Sequence, residues 1–182
     1  DFGNVFQFLT RFTGVPVAPG FFFMAGFMIA LTSGARENRG VPQTEVTRRL
    51  LIRGLVLIAV DALIMGLPRA LMGFYSFMVL SSIGVGVIVA ALLRNVSGRI
   101  LAPAALAVLV LHPLIDVSSL PVALRAIVYE PVRTGAFRSL YPIIPWIGIL
   151  LLGFVVGRDA LRRQRPARLW GLLSALSLVL FF

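Results

Sequence analysis

Residues 141–158 read YPIIPWIGILLLGFVVGR. The stretch combines an entry rich in aromatic residues and proline, an uncharged apolar run, small residues at Gly153 and Gly157, and an arginine at its end. Tyrosine and tryptophan favour the headgroup level of a bilayer, and arginine is favoured at the opposite interface. The stretch therefore predicts a helix that spans a membrane.

The composition of the whole chain is typical of an integral membrane protein. Of the 182 residues, 59% are hydrophobic and 13% are charged, whereas a soluble domain has about 25% charged residues. Uncharged runs cover residues 12–35, 70–93 and 139–157, each close to or above the roughly 18 residues of a bilayer span. We therefore predict an all-α fold, a polytopic transmembrane helical bundle that forms one membrane-embedded domain over residues 1–182.

The bundle is predicted to have about five full spans and a truncated sixth. The spans are residues 15–33, 50–67, 74–93, 100–115 and 141–158, with a sixth from residue 169, and shorter helices are expected within 1–13, from 42–44 and within 120–128. In the first span Gly26, Ala30 and Gly34 recur every four residues, which predicts close approach of a neighbouring helix. Since the chain opens on Asp1 and closes inside an apolar run, we expect an internal fragment of a longer protein that lacks its N-terminal and C-terminal helices.

The arginines predict the topology. The net charge is +10, yet the basic residues lie in short clusters between apolar runs, so we expect contact with the lipid bilayer and no nucleic acid. The positive-inside rule then places the loops after spans one, three and five in the cytoplasm. Their arginines are Arg36, Arg39, Arg48, Arg49, Arg53, Arg94, Arg99, Arg158, Arg162, Arg163, Arg165 and Arg168.

The chain contains no cysteine, which excludes disulfides and thiolate chemistry. No metal site is predicted. The sequence leaves open whether the protein forms a homo-oligomer.

Asp61 is the sharpest candidate for chemistry. It lies about 12 residues, roughly 18 Å, beyond Arg49 along the second span, past the bilayer midplane. A charged carboxylate there costs about 3 kcal/mol, so Asp61 should face the bundle interior or water. It either handles a proton or binds substrate, or it forms a hydrogen-bonded contact between helices, and the sequence leaves both interpretations open.

His112 and Asp116 are four residues apart near the end of the fourth span, and such a pair can hold an imidazole in one tautomer for general-base catalysis. Pro113 disfavours a helical backbone at His112, so the two side chains need not share a face. We favour an interfacial histidine and a water-facing acid, and keep both residues as catalytic candidates.

Tyr141 and Trp146 should lie at the outer mouth of the fifth span. They either anchor the helix at the interface or form an aromatic wall for a sugar ring, and composition alone favours the anchor. With Arg69, in the turn after Pro68, they are the candidates for substrate binding.

Four segments resemble the heparan-α-glucosaminide N-acetyltransferase-like family of bacterial membrane proteins, a branch of the transmembrane acyltransferases. They are 18–26 (APGFFFMAG), 48–55 (RRLLIRGL), 79–84 (VLSSIG) and 141–158. The resemblance implies an inner-membrane enzyme that transfers an acyl group from a cytoplasmic acyl-CoA, such as acetyl-CoA, to an extracytoplasmic glycan or lipid-linked acceptor, with no bound cofactor.

The resemblance also implies roles for single residues. Asp61 and the aromatic rim would shape the acceptor site, and Arg48, Arg49 and Arg53 would attract the phosphates of the acyl-CoA. The family's catalytic histidine belongs to an N-terminal segment without a counterpart here, so His112 does not inherit that role. The alternatives are a transporter or flippase segment that uses Asp61 as a buried proton or ion site, and a purely structural membrane subunit.

Overall fold

A computed structural model describes residues 17–132 and 135–163, which form a predominantly helical membrane protein. The helices are α1 Val17–Asn38, α2 Gln43–Asp61, α3 Leu67–Leu71, α4 Val79–Leu93, α5 Gly98–Leu111, α6 Val122–Val128 and α7 Ile143–Arg163. A π-helical turn, Ala62–Gly66, joins α2 to α3, and a 3-10 turn, His112–Leu114, extends α5. Two short strands, β1 Tyr75–Phe77 and β2 Phe137–Ser139, complete the described fold.

Three helices are long and apolar enough to cross a bilayer: Val17–Asn38, Gln43–Leu71 and Ile143–Arg162. Two further apolar helices, Val79–Leu93 and Gly98–Leu114, are shorter. The prediction of five full spans is therefore not confirmed, although each predicted span corresponds to an apolar helix. The predicted sixth span and the helix within residues 1–13 lie outside the described residues.

Two predicted boundaries need correction. The short helix expected from residues 42–44 is the start of α2, which runs without a break into the second span. The third span was expected from residue 74, but α4 begins at Val79 because residues 75–77 form β1. The short helix expected within residues 120–128 is confirmed as α6.

Glycines allow the first and last described spans to touch. A Cβ atom on Gly26 would overlap the carbonyl oxygen of Leu150, and one on Gly153 would overlap that of Phe23. The backbones of α1 and α7 therefore meet directly, which confirms the close approach of a neighbouring helix predicted from the small residues of the first span. Buried Phe22 and Phe154 fill the same interface.

The α2 and α4 helices form a second glycine contact. A Cβ atom on Gly54 would lie 2.7 Å from the carbonyl oxygen of Gly84, and one on Gly84 would lie 2.6 Å from that of Gly54. The long helices alternate in direction, so the loops after α1 and α4 lie at the same end as the C-terminus of α7. The contacts of Arg94 with Glu37 and Gln43, and of Arg158 with Val96, hold this end together.

The opposite end contains a small parallel sheet that the all-α prediction lacked. Tyr75 lies opposite Phe137, and Phe77 lies opposite Ser139. The segment before α4 would otherwise expose backbone polar groups at the bilayer surface, and pairing satisfies them. Strand β2 leads through Leu140 directly to α7, so the sheet positions the start of that helix.

Candidate active site

A cleft of about 650 Å³ lies between the end of α5, helix α6 and the first two turns of α7. We call it the aromatic cleft. It brings together three residues singled out in the sequence, His112, Asp116 and Trp146. Its other lining residues are Pro113, Leu114, Ile115, Val117, Ser118, Arg125, Tyr129, Glu130, Pro131, Leu140, Pro142, Pro145 and Ile149.

The His112 ring has a defined hydrogen bond. Its Nδ1 atom lies 3.0 Å from the carbonyl oxygen of Leu109. A carbonyl oxygen only accepts, so Nδ1 carries the proton, and Nε2 is the basic atom of the neutral ring. The backbone at His112 is helical (φ −55°, ψ −38°) although Pro113 was expected to disfavour that conformation. The proline lies at the start of the 3-10 turn His112–Leu114, where its missing N–H is tolerated.

Asp116 does not pair with His112. Its Oδ1 atom accepts a hydrogen bond of 2.9 Å from the Ser118 N–H. This backbone bond, followed by a side-chain bond from Ser118, holds the pKa of the Asp116 carboxyl below its ordinary value. The acid is exposed and ionised at neutral pH, as the favoured interpretation had it, and the two catalytic candidates share the cleft without sharing a bond.

The wall beside them carries an ion pair and a phenol. Arg125 Nε lies 2.7 Å from Glu130 Oε1, at an angle that does not make a hydrogen bond. The Tyr129 ring packs edge-on against His112, with ring centroids 5.9 Å apart. The Tyr129 hydroxyl is buried, and within residues 17–132 and 135–163 it has no hydrogen-bond partner. Arg125 lies in α6, and Tyr129 and Glu130 follow it directly; their sequence contains no motif that would have singled them out.

The two aromatic candidates, Tyr141 and Trp146, pack together, but only one of them lines the aromatic cleft. Trp146 packs on Phe22 with ring centroids 4.7 Å apart, and Tyr141 packs on Trp146 at 5.4 Å. Both side chains therefore hold the start of α7 against α1, and their role as an anchor at the membrane interface stays a prediction. Trp146 also lines the aromatic cleft, whereas Tyr141 does not.

Asp61 and Arg69 line neither this cleft nor the second one described below. Asp61 is only 2% exposed, which confirms that it faces the bundle interior. Its Oδ2 atom accepts hydrogen bonds from the Ser81 hydroxyl and from the N–H groups of Ser81 and Met78. Asp61 is thus a hydrogen-bonded contact between helices, and a direct chemical role for it stays a prediction. Arg69 Nη1 donates to Ser76 Oγ over 3.3 Å.

A second cleft, of about 440 Å³, lies at the other end of the bundle, where α1, α4 and α7 end. We call it the arginine cleft because Arg94, Arg158 and Arg162 line it. The Arg94 side chain is 7% exposed and pairs with Glu37; it also donates to the Gln43 carbonyl oxygen over 2.8 Å. This burial lowers the pKa of Arg94. Its charge is matched by Glu37, and Arg158 and Arg162 are the other two arginines that line the cleft.

The arginines expected to bind the donor lie elsewhere at this end. Arg48, Arg49 and Arg53 are exposed on α2 and are not among the lining residues. Arg49 Nε lies 2.7 Å from Glu45 Oε1, so part of its charge is compensated. The three arginines that do line the cleft were read only as topology signals. Their positions at the ends of the third and fifth predicted spans were the available clue, because those spans end at the same side.

The described residues also bear on metal binding. Within 17–132 and 135–163, no group of three His, Asp or Glu side chains is placed to hold a metal ion.

Of the comparisons with known proteins, the one with family models gives a match, and it covers nearly the whole chain. The chain matches no curated protein and no solved structure. Residues 3–180 match the family model described as heparan-alpha-glucosaminide N-acetyltransferase, catalytic, and this range includes both clefts. The resemblance seen in the sequence is confirmed, and the chain belongs to the heparan-alpha-glucosaminide N-acetyltransferase catalytic family.

Proposed function

We propose that this chain is part of a membrane acetyltransferase that moves an acetyl group from a cytoplasmic acyl-CoA to an extracytoplasmic glycan. One observation carries the proposal: two clefts of different chemistry lie at opposite ends of a single helix. In α7, Trp146 and Ile149 line the aromatic cleft, and Arg158 and Arg162 line the arginine cleft. Acyl transfer across a membrane needs such an arrangement, with one substrate on each side.

The arginine cleft suits the donor. Guanidinium groups bind phosphate oxygens strongly and in pairs, and Arg158 and Arg162 supply charge that Glu37 does not cancel. Exposed Arg48, Arg49 and Arg53, at the same end, would attract an anionic donor over a longer range. The density of arginines also supports a cytoplasmic location of this end in the inner membrane, where acetyl-CoA is available.

The aromatic cleft suits the acceptor. Trp146 offers a flat ring beside charged and polar groups, a combination found in sites that bind small molecules. His112 Nε2 is the candidate general base. It would take a proton from the acceptor nitrogen or oxygen as that atom attacks the thioester carbonyl, which the donor's acyl arm would have to bring from the arginine cleft. The carbon–sulfur bond breaks, and the leaving CoA thiolate takes up the proton. Asp116, ionised in the same cleft, would bind a hydroxyl or amine of the acceptor.

The experiment is transfer of label from acetyl-CoA to a glycan acceptor by the full-length protein in membranes. Arg162→Ala should raise the KM for acetyl-CoA about tenfold, the effect of losing one charged contact of about 1.4 kcal/mol. Arg99→Ala is the matched control, because Arg99 is exposed and lines neither cleft. A wild-type protein that neither binds acetyl-CoA nor transfers label would overturn the proposal.

The transporter alternative is not favoured. It depended on Asp61 as a proton or ion site, and Asp61 lines neither cleft, while one of its oxygens is engaged by α4. The family match points to acetyl transfer instead.

A further inference from the structure

We propose that the acceptor in the aromatic cleft is anchored in the membrane, as a sugar linked to an apolar chain, rather than a free soluble glycan. The inference rests on the proposed acetyl transfer and names the substrate class of the same site. The occupant combines a polar head in the cleft with a chain that lies across its edge.

The edge of the cleft is apolar and open. Leu114, Ile115 and Leu140 line the cleft and are 78%, 58% and 40% exposed. We call these three residues the apolar rim. In a membrane-spanning bundle, exposed apolar side chains face lipid, so the cleft is open towards the bilayer on this side.

The rim lies where the helices end. The apolar helix Gly98–Leu114 ends at the first rim residue, and α7 begins three residues after Leu140. The bilayer surface is expected at this level, because the helices that define the bundle stop here. The apolar chain of a bound acceptor that leaves the cleft over the rim would therefore enter lipid and not water.

The interior of the cleft fits a sugar and does not fit an acyl chain. Beside the rim, the lining carries half-buried His112, exposed Asp116 and the Arg125–Glu130 ion pair. An apolar chain in contact with these groups would desolvate charges without compensation. Asp116 is ionised and forms no ion pair in the described part of the chain, so the site favours a neutral or amine-bearing head. The polar interior and the apolar rim together select an amphiphile.

The test compares one head group with and without a chain. Full-length protein in lipid vesicles is given glucosamine or dodecyl glucosaminide as acceptor, with labelled acetyl-CoA as donor. We expect the double variant Leu114→Ser, Ile115→Ser to show a kcat/KM for the dodecyl acceptor about tenfold lower than that of the wild type. This corresponds to about 1.4 kcal/mol of lost binding free energy. Any loss with glucosamine should be smaller, so the ratio of the two kcat/KM values, dodecyl acceptor to glucosamine, should fall.

The matched control is Leu71→Ser, Met72→Ser. These side chains are 83% and 75% exposed at the same end of the bundle but lie outside the cleft. The control should leave both acceptors unaffected. Since partitioning into vesicles raises the local concentration of any long-chain acceptor, the ratio of variant to wild type is the decisive quantity. If the double variant does not fold, Leu140→Ser is measured in the same way.

Three outcomes would overturn the inference. Equal losses of kcat/KM for both acceptors in the double variant would make the rim a structural element. Wild-type protein that does not prefer dodecyl glucosaminide over glucosamine would indicate a soluble acceptor. A rim variant that changes the oligomeric mass in detergent, with unchanged acceptor preference, would show that a second copy covers the rim. Failure of the proposed function is distinct, since wild-type protein would then transfer no acetyl group to either acceptor.

Discussion

Ser81 donates its hydroxyl to Asp61 Oδ2 across 2.6 Å, and this bond joins α2 to the first turn of α4. The same oxygen accepts the N–H groups of Ser81 and Met78. Met78 precedes α4 and has no capping side chain of its own, so a carboxylate from another helix caps it. The Asp61 side chain also lies at the N-terminal end of α4, where the N–H groups of the first turn need acceptors. In a membrane, where water cannot replace these bonds, the cap is a large contribution to stability.

We expect Asp61→Ala to lower the free energy of unfolding by about 2 kcal/mol, because two N–H groups and a hydroxyl lose their acceptor. Asp61→Asn should cost less, since its amide oxygen still accepts. The measurement is thermal unfolding in detergent, with Ser81→Ala and the double variant completing a cycle. The cycle should give a coupling of about 1 kcal/mol.

The same variants separate a structural from a chemical role of Asp61. A capping residue predicts that Asp61→Asn retains most transfer activity in proportion to its folded fraction. If Asp61 handles a proton instead, Asp61→Asn would be as stable as the wild type and inactive. That result would restore the chemical interpretation that the sequence left open.

Gly153→Ala should destabilise the protein by about 1–3 kcal/mol, because the new methyl group would overlap the Phe23 carbonyl and separate α1 from α7. Gly20→Ala is the matched control, since nothing lies within 4 Å of a Cβ atom there. The control should be neutral or stabilising, as alanine favours the helix by up to about 1 kcal/mol. Thermal unfolding of the two variants in one detergent makes the comparison. Equal effects would mean that the two helices are not in contact.

The pH dependence of Asp116 is a third prediction. Its lowered folded pKa stabilises the folded state above the ordinary value of 3.8, and this contribution is lost as the pH falls through the folded pKa. Asp116→Asn should therefore lower the melting temperature slightly at pH 7, and the difference from the wild type should shrink towards pH 3. Ser118→Ala should have a smaller effect, because it keeps the backbone donor that is the main cause. A difference that grows towards low pH would contradict this assignment.

The sequence predicted the features that depend on local spacing. Gly26, Ala30 and Gly34 predicted the close approach of a neighbouring helix to α1, since residues four apart share a face of a helix, but they did not identify α7 as that neighbour. The burial of Asp61 followed from the cost of a charge inside a bilayer. The pairing of Tyr75 with Phe137 could not be predicted in the same way, because the two strands are short and far apart in the chain.

The sites were harder to predict than the spans. Trp146 and His112 were named from their residue types, but their common cleft depends on how α6 and the loop after α5 fold back on α7. The arginine cleft combines the ends of three helices, and in the sequence each of its arginines was used only to predict the topology. The sequence shows where arginines occur at helix ends, and only the packing shows which of them meet.

Trp146 and Tyr141 provide the sharpest test of the acceptor site, because both hold α7 against Phe22 and only Trp146 lines the aromatic cleft. Trp146→Leu and Tyr141→Leu should each lower the melting temperature, since each removes an aromatic contact worth about 0.5–1.5 kcal/mol beyond its buried area. Only Trp146→Leu should also raise the KM for the acceptor, by about tenfold, the equivalent of about 1.4 kcal/mol. The KM for acetyl-CoA should stay unchanged in both variants, because the donor is expected at the other end of α7. Steady-state kinetics with each substrate varied in turn makes the measurement. Equal increases in acceptor KM for both variants would show that the loss reflects helix packing, and the assignment of the acceptor to this cleft would then be wrong.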